Sequence, residues 1–495
     1  MTSAILTAAL TASAAVHATP TPLTTTGFPR IQSSGITVAI TPYITVPADS
    51  PTAPQARINY TVPEAGRLFT NDMAGQLYVT GPAGGTATPY LDMAAQNVPA
   101  VVNFPTGNGL AGFAFHPNFA ADPAKPGYGD FYTTTTVLNT AGAAANLGNG
   151  TGADMVQIRE WHTDVPLAPT FSGTSRVVMN IDGYTDGHSN ASIAFNPTAR
   201  PGGADYGNLY VGSGDGHYND ADQNAQNLGV PQGKMLRINP LQGPNGQPYT
   251  VPGDNPFVGH AGTLPEIYSY GLRFPQTFGW DPVTGTMYIN DLGQAAVEEV
   301  NIGLAGANYG WSQREGTFAT GYAYGQGSDD ENIYPIPVSS LGAGYADPIA
   351  EFGHNEGSAL GSGFVYRGTA IPALYGKYVM ADILTGRIFV FDPAAVPTGG
   401  QATLTELLLS QNGQPLVLDN AYGYYSPILQ GPRVDARLSQ DATGELLLAL
   451  KSTGEVYALG ALPVPEPAAL AILMPALCWV AGRRLANRQA ASAKA

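Results

Sequence analysis

The segment GNLYVGSGD, residues 207–215, begins with a glycine and continues through apolar and small residues in a pattern typical of a β-strand. Three of the six segments with this pattern, all given below, are followed by a glycine turn and a second predicted strand; the turns are at Gly75, Gly386 and Gly454. Five more segments share the signature of Gly, one variable residue and then apolar or aromatic pairs: GRLFTND from Gly66, GDFYTTT from Gly129, GTMYIND from Gly285, GKYVMAD from Gly376 and GELLLAL from Gly444. The chain is therefore predicted to consist of six related β units.

Six repeated all-β units are typical of a six-bladed β-propeller with four strands in each blade. Residues 36–460 are predicted to form the ring. The repeats are longer than a blade needs, so long inter-strand loops are expected at one mouth of the central channel. Two β-sandwich domains are the alternative arrangement. A loose leader rich in Thr, Pro and Ser is predicted at residues 19–35.

The composition agrees with an all-β chain and excludes several classes of function. The 495 residues include 61 Gly and 41 Pro, which indicates many turns. The 21 Lys and Arg against 37 Asp and Glu give a net charge of −16, and a field of that sign repels nucleic acid. The single cysteine, Cys478, excludes an intrachain disulfide, a thiolate metal site and a haem attachment motif.

Both ends of the chain carry segments typical of export. Residues 1–18 are small and apolar and end in AVHA, which predicts a signal peptide. Residues 461–495 contain the tripeptide PEP from Pro465, an apolar run at 468–482 and a basic cluster at 483–488. Because an apolar run of this length is short for a membrane span, a tethering tail with transient membrane contact is one interpretation.

The order of these three features resembles the PEP-CTERM sorting signal of Gram-negative bacteria that produce exopolysaccharide. The resemblance implies export across the inner membrane and removal of the tail by an exosortase-type enzyme. The mature protein is therefore expected to be secreted or held at the cell surface of a Gram-negative-type bacterium.

The stretch richest in candidate catalytic residues runs from residue 187 to residue 239. His188 opens a strand after a Gly-rich loop, whereas Asp215 closes the next strand, so antiparallel pairing would place both side chains at one channel mouth. A carboxylate that orients an imidazole gives a general base whose pKa is near the working pH. A purely structural histidine is the alternative, and such a role is expected for His116, which we predict caps a turn.

Two further stretches contain candidate binding residues. Arg273 stands among apolar and aromatic residues in YSYGLRFPQ, residues 268–276. A guanidinium in such surroundings requires an anionic partner, either an acidic side chain or a ligand carboxylate. The turn at Gly293 and Gln294, close to the carboxylate of Glu298, suits a hard cation such as calcium, although a satisfied turn between strands explains the same pattern.

In chain order these stretches resemble the glucose/sorbosone dehydrogenase family, whose founding members are six-bladed propellers that use pyrroloquinoline quinone (PQQ) with calcium. The Gly-Gln turn, EEVN and DATGEL look more like the hedgehog-interacting-protein-like branch. The match covers most of residues 60–458 through these motifs: GLAGFAFHPNF from Gly109, GSGDG from Gly212, GKMLRIN from Gly233, YSYGLRFPQ from Tyr268, NDLGQAAVEEVN from Asn290, GSGFVYRGTAIPALYGKYVMAD from Gly361 and DATGELLLALKSTGEVY from Asp441.

The resemblance implies an exported dehydrogenase that oxidises a sugar or related alcohol by hydride transfer to PQQ, with an electron acceptor that the sequence does not identify. By this resemblance His188 is the general base and Asp215 orients it. Arg273 and Gln294 would bind the quinone, and the carbonyl oxygens of Gly293 and Gln294 would bind calcium.

Three departures from the family pattern leave other functions open. Phe274 replaces an asparagine, Gln294 replaces a proline, and Arg433 and Arg437 are out of phase with a cofactor-binding arginine pair. One alternative is a non-catalytic surface propeller that binds carbohydrate or protein. The other is a calcium-dependent lactonase, which requires several carboxylates around one point, drawn from Asp215, Asp291, Glu298 and Asp382.

Overall fold

The computed structural model describes residues 21–23, 28–102, 108–139, 147–148, 152–182, 188, 190–216, 220, 222–325, 332–336, 344–426 and 431–462. The predicted signal peptide lies outside these residues, and so does the predicted sorting tail of residues 461–495 from residue 463 onward. Within them, one short α-helix, α1 (Leu418–Tyr422), accompanies many strands. No helix in these ranges is long and apolar enough to cross a membrane. Short 3₁₀ helices lie at Asn224–Gln226, Pro244–Gly246, Gly321–Tyr324, Pro372–Leu374 and Pro393–Ala395.

Most strands belong to six antiparallel units of four strands each. The chain enters through β1 (Gln32–Thr45), which is the outermost strand of unit 6. Units 1 to 3 follow in chain order: β2 (Ile58–Glu64), β3 (Arg67–Asp72), β4 (Gln76–Gly81) and β5 (Gly84–Asp92); then β6 (Leu110–Phe115), β7 (Asp130–Leu138), β8 (Asp154–His162) and β9 (Thr174–Asp182); then β10 (Asn190–Phe195), β11 (Leu209–Ser213), β12 (Lys234–Ile238) and β13 (Ile267–Tyr270).

Units 4 to 6 complete the architecture, with short accessory strands between them. Unit 4 contains β14 (Thr277–Trp280), β15 (Met287–Asp291), β16 (Val297–Ile302) and, after the accessory strands β17 (Arg314–Glu315), β18 (Phe318–Thr320) and β19 (Ile333–Tyr334), β20 (Ala350–Gly353). Unit 5 contains β21 (Leu360–Val365), β22 (Tyr378–Asp382), β23 (Ile388–Phe391) and β24 (Thr405–Gln411). Then come β25 (Gln414–Leu416), β26 (Tyr424–Ser426) and β27 (Gly431–Arg433), and the unit 6 strands β28 (Ala436–Gln440), β29 (Leu446–Leu450) and β30 (Glu455–Ala461).

The six segments with the glycine signature are the second strands of the six units, namely β3, β7, β11, β15, β22 and β29. The prediction of six related β-strands is confirmed. In β22 and β29 every residue is buried, because other units cover both faces of the sheet. The predicted turn cap is confirmed as well, since the Asn118 amide donates to His116 Nδ1 at 3.0 Å.

The core lies between neighbouring units and not inside any one of them. One buried cluster joins Phe69 of unit 1 to Phe131 of unit 2, and another joins Ile58 of unit 1 to Leu447 of unit 6. Each such side chain contributes about 1.5–3 kcal/mol when it is removed from water. Stability therefore depends on packing every unit against both of its neighbours.

The first strands of the units contact one another in the order β2, β6, β10, β14, β21 and β28, and β28 in turn contacts β2. The strands run in the same direction, since Thr277 bonds to Gly361 and Gly279 faces Phe364 further along. Their amino-terminal ends therefore share one mouth of the space that they enclose, and their carboxyl-terminal ends share the other.

Strand β1 links three units. It pairs antiparallel with β30 and parallel with both β24 and β5. The strand begins at Gln32, so the last residues of the segment 19–35, predicted to be a loose leader, belong to the fold. They are held there because Gln32 pairs with Thr405 in the parallel ladder.

Candidate functional site

His188, Asp215 and Arg273 lie together at the mouth formed by the amino-terminal ends of the inner strands. The Asp215 amide donates to the Arg273 carbonyl at 2.8 Å, and the Gly216 amide donates to the His188 carbonyl at 3.2 Å. His188 Nδ1 lies 3.7 Å from Asp215 Oδ1, within ion-pair range but beyond a direct hydrogen bond. The antiparallel β10–β11 pair thus brings the histidine and the carboxylate together at one mouth.

A glycine makes this close approach feasible. A Cβ atom on Gly214, in the GSGDG motif, would lie 1.8 Å from the His188 carbonyl oxygen. His188 itself has a left-handed backbone with φ of 48°, a conformation that costs energy for a residue with a side chain. The motif therefore fixes the backbone on which the imidazole is carried.

Asp215 is fully buried and is held from two sides. Its Oδ2 accepts a hydrogen bond from Trp311 Nε1 at 2.9 Å, and its backbone carbonyl accepts one from Asn224 Nδ2 at 3.1 Å. Lys234, from GKMLRIN, donates to three backbone carbonyls within residues 224–232 at 2.6–3.0 Å. Burial lowers the pKa of this lysine to about 7. The lysine organises the loop that supports Asp215.

Arg273 and Gln294 contact each other. Arg273 Nε donates to Gln294 Oε1 at 2.8 Å and Nη1 donates to the Leu292 carbonyl at 3.4 Å. Arg273 is 4% exposed, and its guanidinium carbon lies 5.9 Å from the centre of the Trp311 ring. Two residues that the sequence assigned to cofactor binding are therefore adjacent, and neutral oxygens accept these two hydrogen bonds.

The Gly293 turn is built around the buried carboxylate of Glu315. A Cβ on Gly293 would lie 1.7 Å from the Val297 carbonyl oxygen, so only glycine fits there. The sequence did not identify Glu315 as a candidate site residue, because the charged pair Arg314 and Glu315 is also typical of an exposed loop. One oxygen of Glu315 accepts hydrogen bonds at 2.8–3.1 Å from four successive amides, those of Gln294, Ala295, Ala296 and Val297.

Residues 56–414 match the family described as Glucose / Sorbosone dehydrogenase. The chain belongs to this family. The matched segment ends before β28, whereas the sequence motifs extend the resemblance to residue 458.

Relatives of the chain include plant and animal proteins. The HIPL2 protein of Arabidopsis thaliana is 28% identical over 60% of this chain, and human hedgehog-interacting protein is 24% identical over 64%. These matches cover 45% and 39% of the two relatives, so the chain spans less than half the length of either. The resemblance to the hedgehog-interacting-protein-like branch is confirmed.

Solved structures agree on the fold. The PQQ-bound aldose sugar dehydrogenase from Streptomyces coelicolor has 20% identity and a TM-score of 0.51, covering 86% of this chain and 98% of that one. At this level of identity the likeness shows a β-propeller fold and nothing further about chemistry.

Phe274 is the clearest departure from the family pattern. Its ring is 3% exposed, and its centre lies 5.0 Å from that of the His188 ring at an interplanar angle of 34°. Its amide donates to Asp291 Oδ1 at 2.7 Å. An apolar ring therefore lies beside the imidazole where the resemblance predicts a polar asparagine.

The arginines near the start of unit 6 contact protein groups. Arg433 Nε donates to Asp435 Oδ2 at 2.7 Å, and Arg437 Nη1 donates to the Ala436 carbonyl at 3.1 Å. Arg433 and Asp435 are nearly inaccessible to solvent. An internal ion pair therefore holds Arg433 in place.

The carboxylates that a lactonase would need are held by separate groups of protein donors. Asp291 accepts hydrogen bonds from the amides of Arg273 and Phe274, and Asp382 from those of Ser358 and Ala359. Among the residues that the structure describes, no group of three or more His, Cys, Asp or Glu side chains is arranged to hold a metal. The arrangement required for a carboxylate-ligated lactonase is therefore not met in this part of the chain.

A second carboxyl, that of Glu299, lies directly opposite Asp291 on the β15–β16 ladder, and both are almost completely buried. Burial raises the pKa of Asp291 to about 8 and that of Glu299 well above its usual range, where the charge of Asp291 adds to the effect. The folded state therefore holds a proton that the unfolded chain releases above about pH 4.

Stability is consequently expected to fall as the pH rises from about 4 to 8. Glu299→Gln should remove part of this loss and increase the free energy of unfolding at pH 8 on the order of 1–2 kcal/mol relative to the native chain. Urea unfolding at pH 5 and pH 8 measures the effect. Asp92→Asn, at the exposed aspartate that ends β5, is the control. A parallel decline in the Glu299→Gln protein would contradict the interpretation that Glu299 holds a proton in the folded state.

Proposed function

We propose that the chain is an exported dehydrogenase that oxidises a sugar or related alcohol, using PQQ and calcium at the mouth that carries His188. The observation that supports this most is that Asp215 lies within ion-pair range of His188 and is hydrogen-bonded through its amide to Arg273. We also propose that the six units are the blades of a six-bladed propeller. The unbroken order of contacts from β2 to β28 and back to β2 supports that number.

The residues present suit a planar group with several oxygen atoms. Arg273 supplies a buried guanidinium, and Gln294 Nε2 is a buried donor with no hydrogen-bond partner among the described residues. The His188 side chain is 16% exposed, so a small molecule can reach it. Bound PQQ would supply the hydride acceptor, and calcium at the carbonyl oxygens of Gly293 and Gln294 would supply a Lewis acid.

The role proposed for His188 follows from the orientation of its ring. Nδ1 faces Asp215, so Nε2 is the nitrogen that would take the proton of the substrate hydroxyl while a hydride leaves the carbon that bears this hydroxyl. Asp215 stabilises the imidazolium that results, and Trp311 keeps that carboxylate in place. The ring of Phe274 covers one side of the imidazole and keeps water from it.

Titration of PQQ into the purified chain, with and without calcium, tests the proposal by calorimetry. We expect calcium-dependent binding that weakens at least tenfold in Arg273→Ala, because a charged hydrogen-bond donor contributes about 1.5–3 kcal/mol. Arg200→Ala, at an exposed arginine, should bind like the native chain. Absence of binding with and without calcium would overturn the quinone mechanism.

A non-catalytic surface propeller is the second candidate. The burial of Phe274 beside His188 favours it, because an apolar ring occupies the position of a predicted cofactor contact. Among the relatives, human hedgehog-interacting protein is named for binding a protein. Normal folding of the chain without any PQQ binding would favour this function over the first.

Export and processing form part of the proposal. We propose that the segment from Pro465 is recognised by an exosortase-type enzyme and that the mature protein reaches the cell surface or the medium. The intact mass of the exported protein tests this. A product that retains residues 468–482 would contradict removal of the tail.

A further inference from the structure

A cavity of about 410 Å³ lies among the six inner strands at the end away from His188. Every inner strand contributes to its wall, and most of the lining side chains are apolar or aromatic. The apolar and aromatic side chains of the wall include those of Val62, Phe113, Ile193, Phe278, Trp280 and Phe364. A volume of this size is in the range of pockets that bind small organic molecules.

The direction of the strands places this cavity at the opposite mouth. His188 precedes β10, whereas Pro197, in the cavity wall, follows that strand. Arg273 likewise precedes β14, whereas Pro282, also in the wall, follows it. The cavity is therefore separate from the site proposed for the quinone.

The wall also contains polar side chains, and Ser192 is one of them. Ser192 lines the cavity, and its hydroxyl is buried without a hydrogen-bond partner among the described residues. A Cβ on Gly112 would lie 3.2 Å from the Ser192 Cα, so strands β6 and β10 approach closely at this level. An unsatisfied buried hydroxyl costs about 1–3 kcal/mol. Rotation about the Cα–Cβ bond of Ser192 would turn the hydroxyl into the cavity, where a polar group on a ligand would recover this energy.

The electrostatics of the wall favour an uncharged ligand. Among its lining residues Asp441 is the charged one, and its carboxylate accepts hydrogen bonds from the amides of Thr443 and Glu445 in its own turn. The apolar surroundings penalise a bare ion of either sign. Phe113, Phe278 and Trp280 offer ring edges and faces to an aromatic ligand.

We propose that this cavity binds an uncharged aromatic molecule that carries a single hydroxyl group. The rings contact the aromatic wall, and the hydroxyl bonds to Ser192. The site is independent of the quinone chemistry and binds its ligand whether or not the other mouth is catalytic.

Calorimetric titration of the full chain with 2-naphthol and with naphthalene tests the proposal. Both are expected to bind, 2-naphthol more tightly. Ser192→Ala should weaken 2-naphthol about fivefold and leave naphthalene unchanged, because only the former loses a hydrogen bond. Ala442→Trp, which places a large ring in the exposed turn at the cavity entrance, should weaken both at least tenfold.

Val258→Trp, at a site 40% exposed and outside the cavity wall, is the matched control and should bind both compounds like the native chain. Circular dichroism establishes that each variant folds. Lack of saturable binding to the native chain would overturn the proposal. So would equal affinity in native and Ala442→Trp proteins, since binding would then occur elsewhere.

Discussion

His188→Ala is expected to lower kcat for the oxidation of a sugar or alcohol by about 10²–10⁴-fold, the usual contribution of a general base. The reason is geometric, because Nδ1 faces Asp215 and the proposed mechanism therefore assigns the substrate proton to Nε2. The measurement is a steady-state assay with an artificial electron acceptor, across a panel of sugars and with PQQ and calcium added.

The matched control for this variant is His260→Ala, at an exposed histidine. It should retain native activity. Asp215→Asn should keep most of the substrate affinity yet lower kcat, since the amide no longer stabilises a charged imidazole. Activity of His188→Ala within threefold of the native chain would remove His188 from the mechanism.

Glu315→Ala is expected to lower the free energy of unfolding by about 3–4 kcal/mol, which is near the upper end for single substitutions. The substitution leaves four successive amides of the 294–297 turn without the acceptor that now holds them. Calcium binding should be lost at the same time, because Gly293 and Gln294 belong to this turn. Urea unfolding and calcium titration measure the two effects.

Glu315→Gln is the informative companion variant. Its amide oxygen can still accept several of the four hydrogen bonds, so it should recover more than half of the lost stability. If Glu315→Ala unfolds within 1 kcal/mol of the native chain, the amides have found other acceptors, and the importance assigned to this carboxylate is wrong.

The positions of the second strands of the six units can be predicted from the sequence because each depends on a local pattern of residues. A glycine with φ above 70° precedes each of the six predicted strands, at Gly66, Gly129, Gly207, Gly285, Gly376 and Gly444. The apolar run that follows is recognised without reference to a distant partner. The meeting of His188 and Asp215 was equally predictable, because adjacent antiparallel strands dictate it.

Contacts between distant segments were not predictable in the same way. Trp311 donates a hydrogen bond to the carboxylate of Asp215, but no local sequence pattern around Trp311 predicts this contact. Glu315 reaches the Gly293 turn from β17, and its single charge carries no periodic signal. Such contacts depend on tertiary packing between residues far apart in the chain, and they leave no local pattern in a single sequence.

The placement of β1 beside β30 has a consequence for how the molecule forms. Val38 lies opposite Ala461, so the last unit is completed only when almost the entire chain has left the ribosome. Pairing of such widely separated segments carries a large loop-closure entropy and is slow. If the chain is exported as proposed, this late pairing keeps it unfolded and able to pass through a translocation channel, and the pairing of β1 with β30 would follow the crossing.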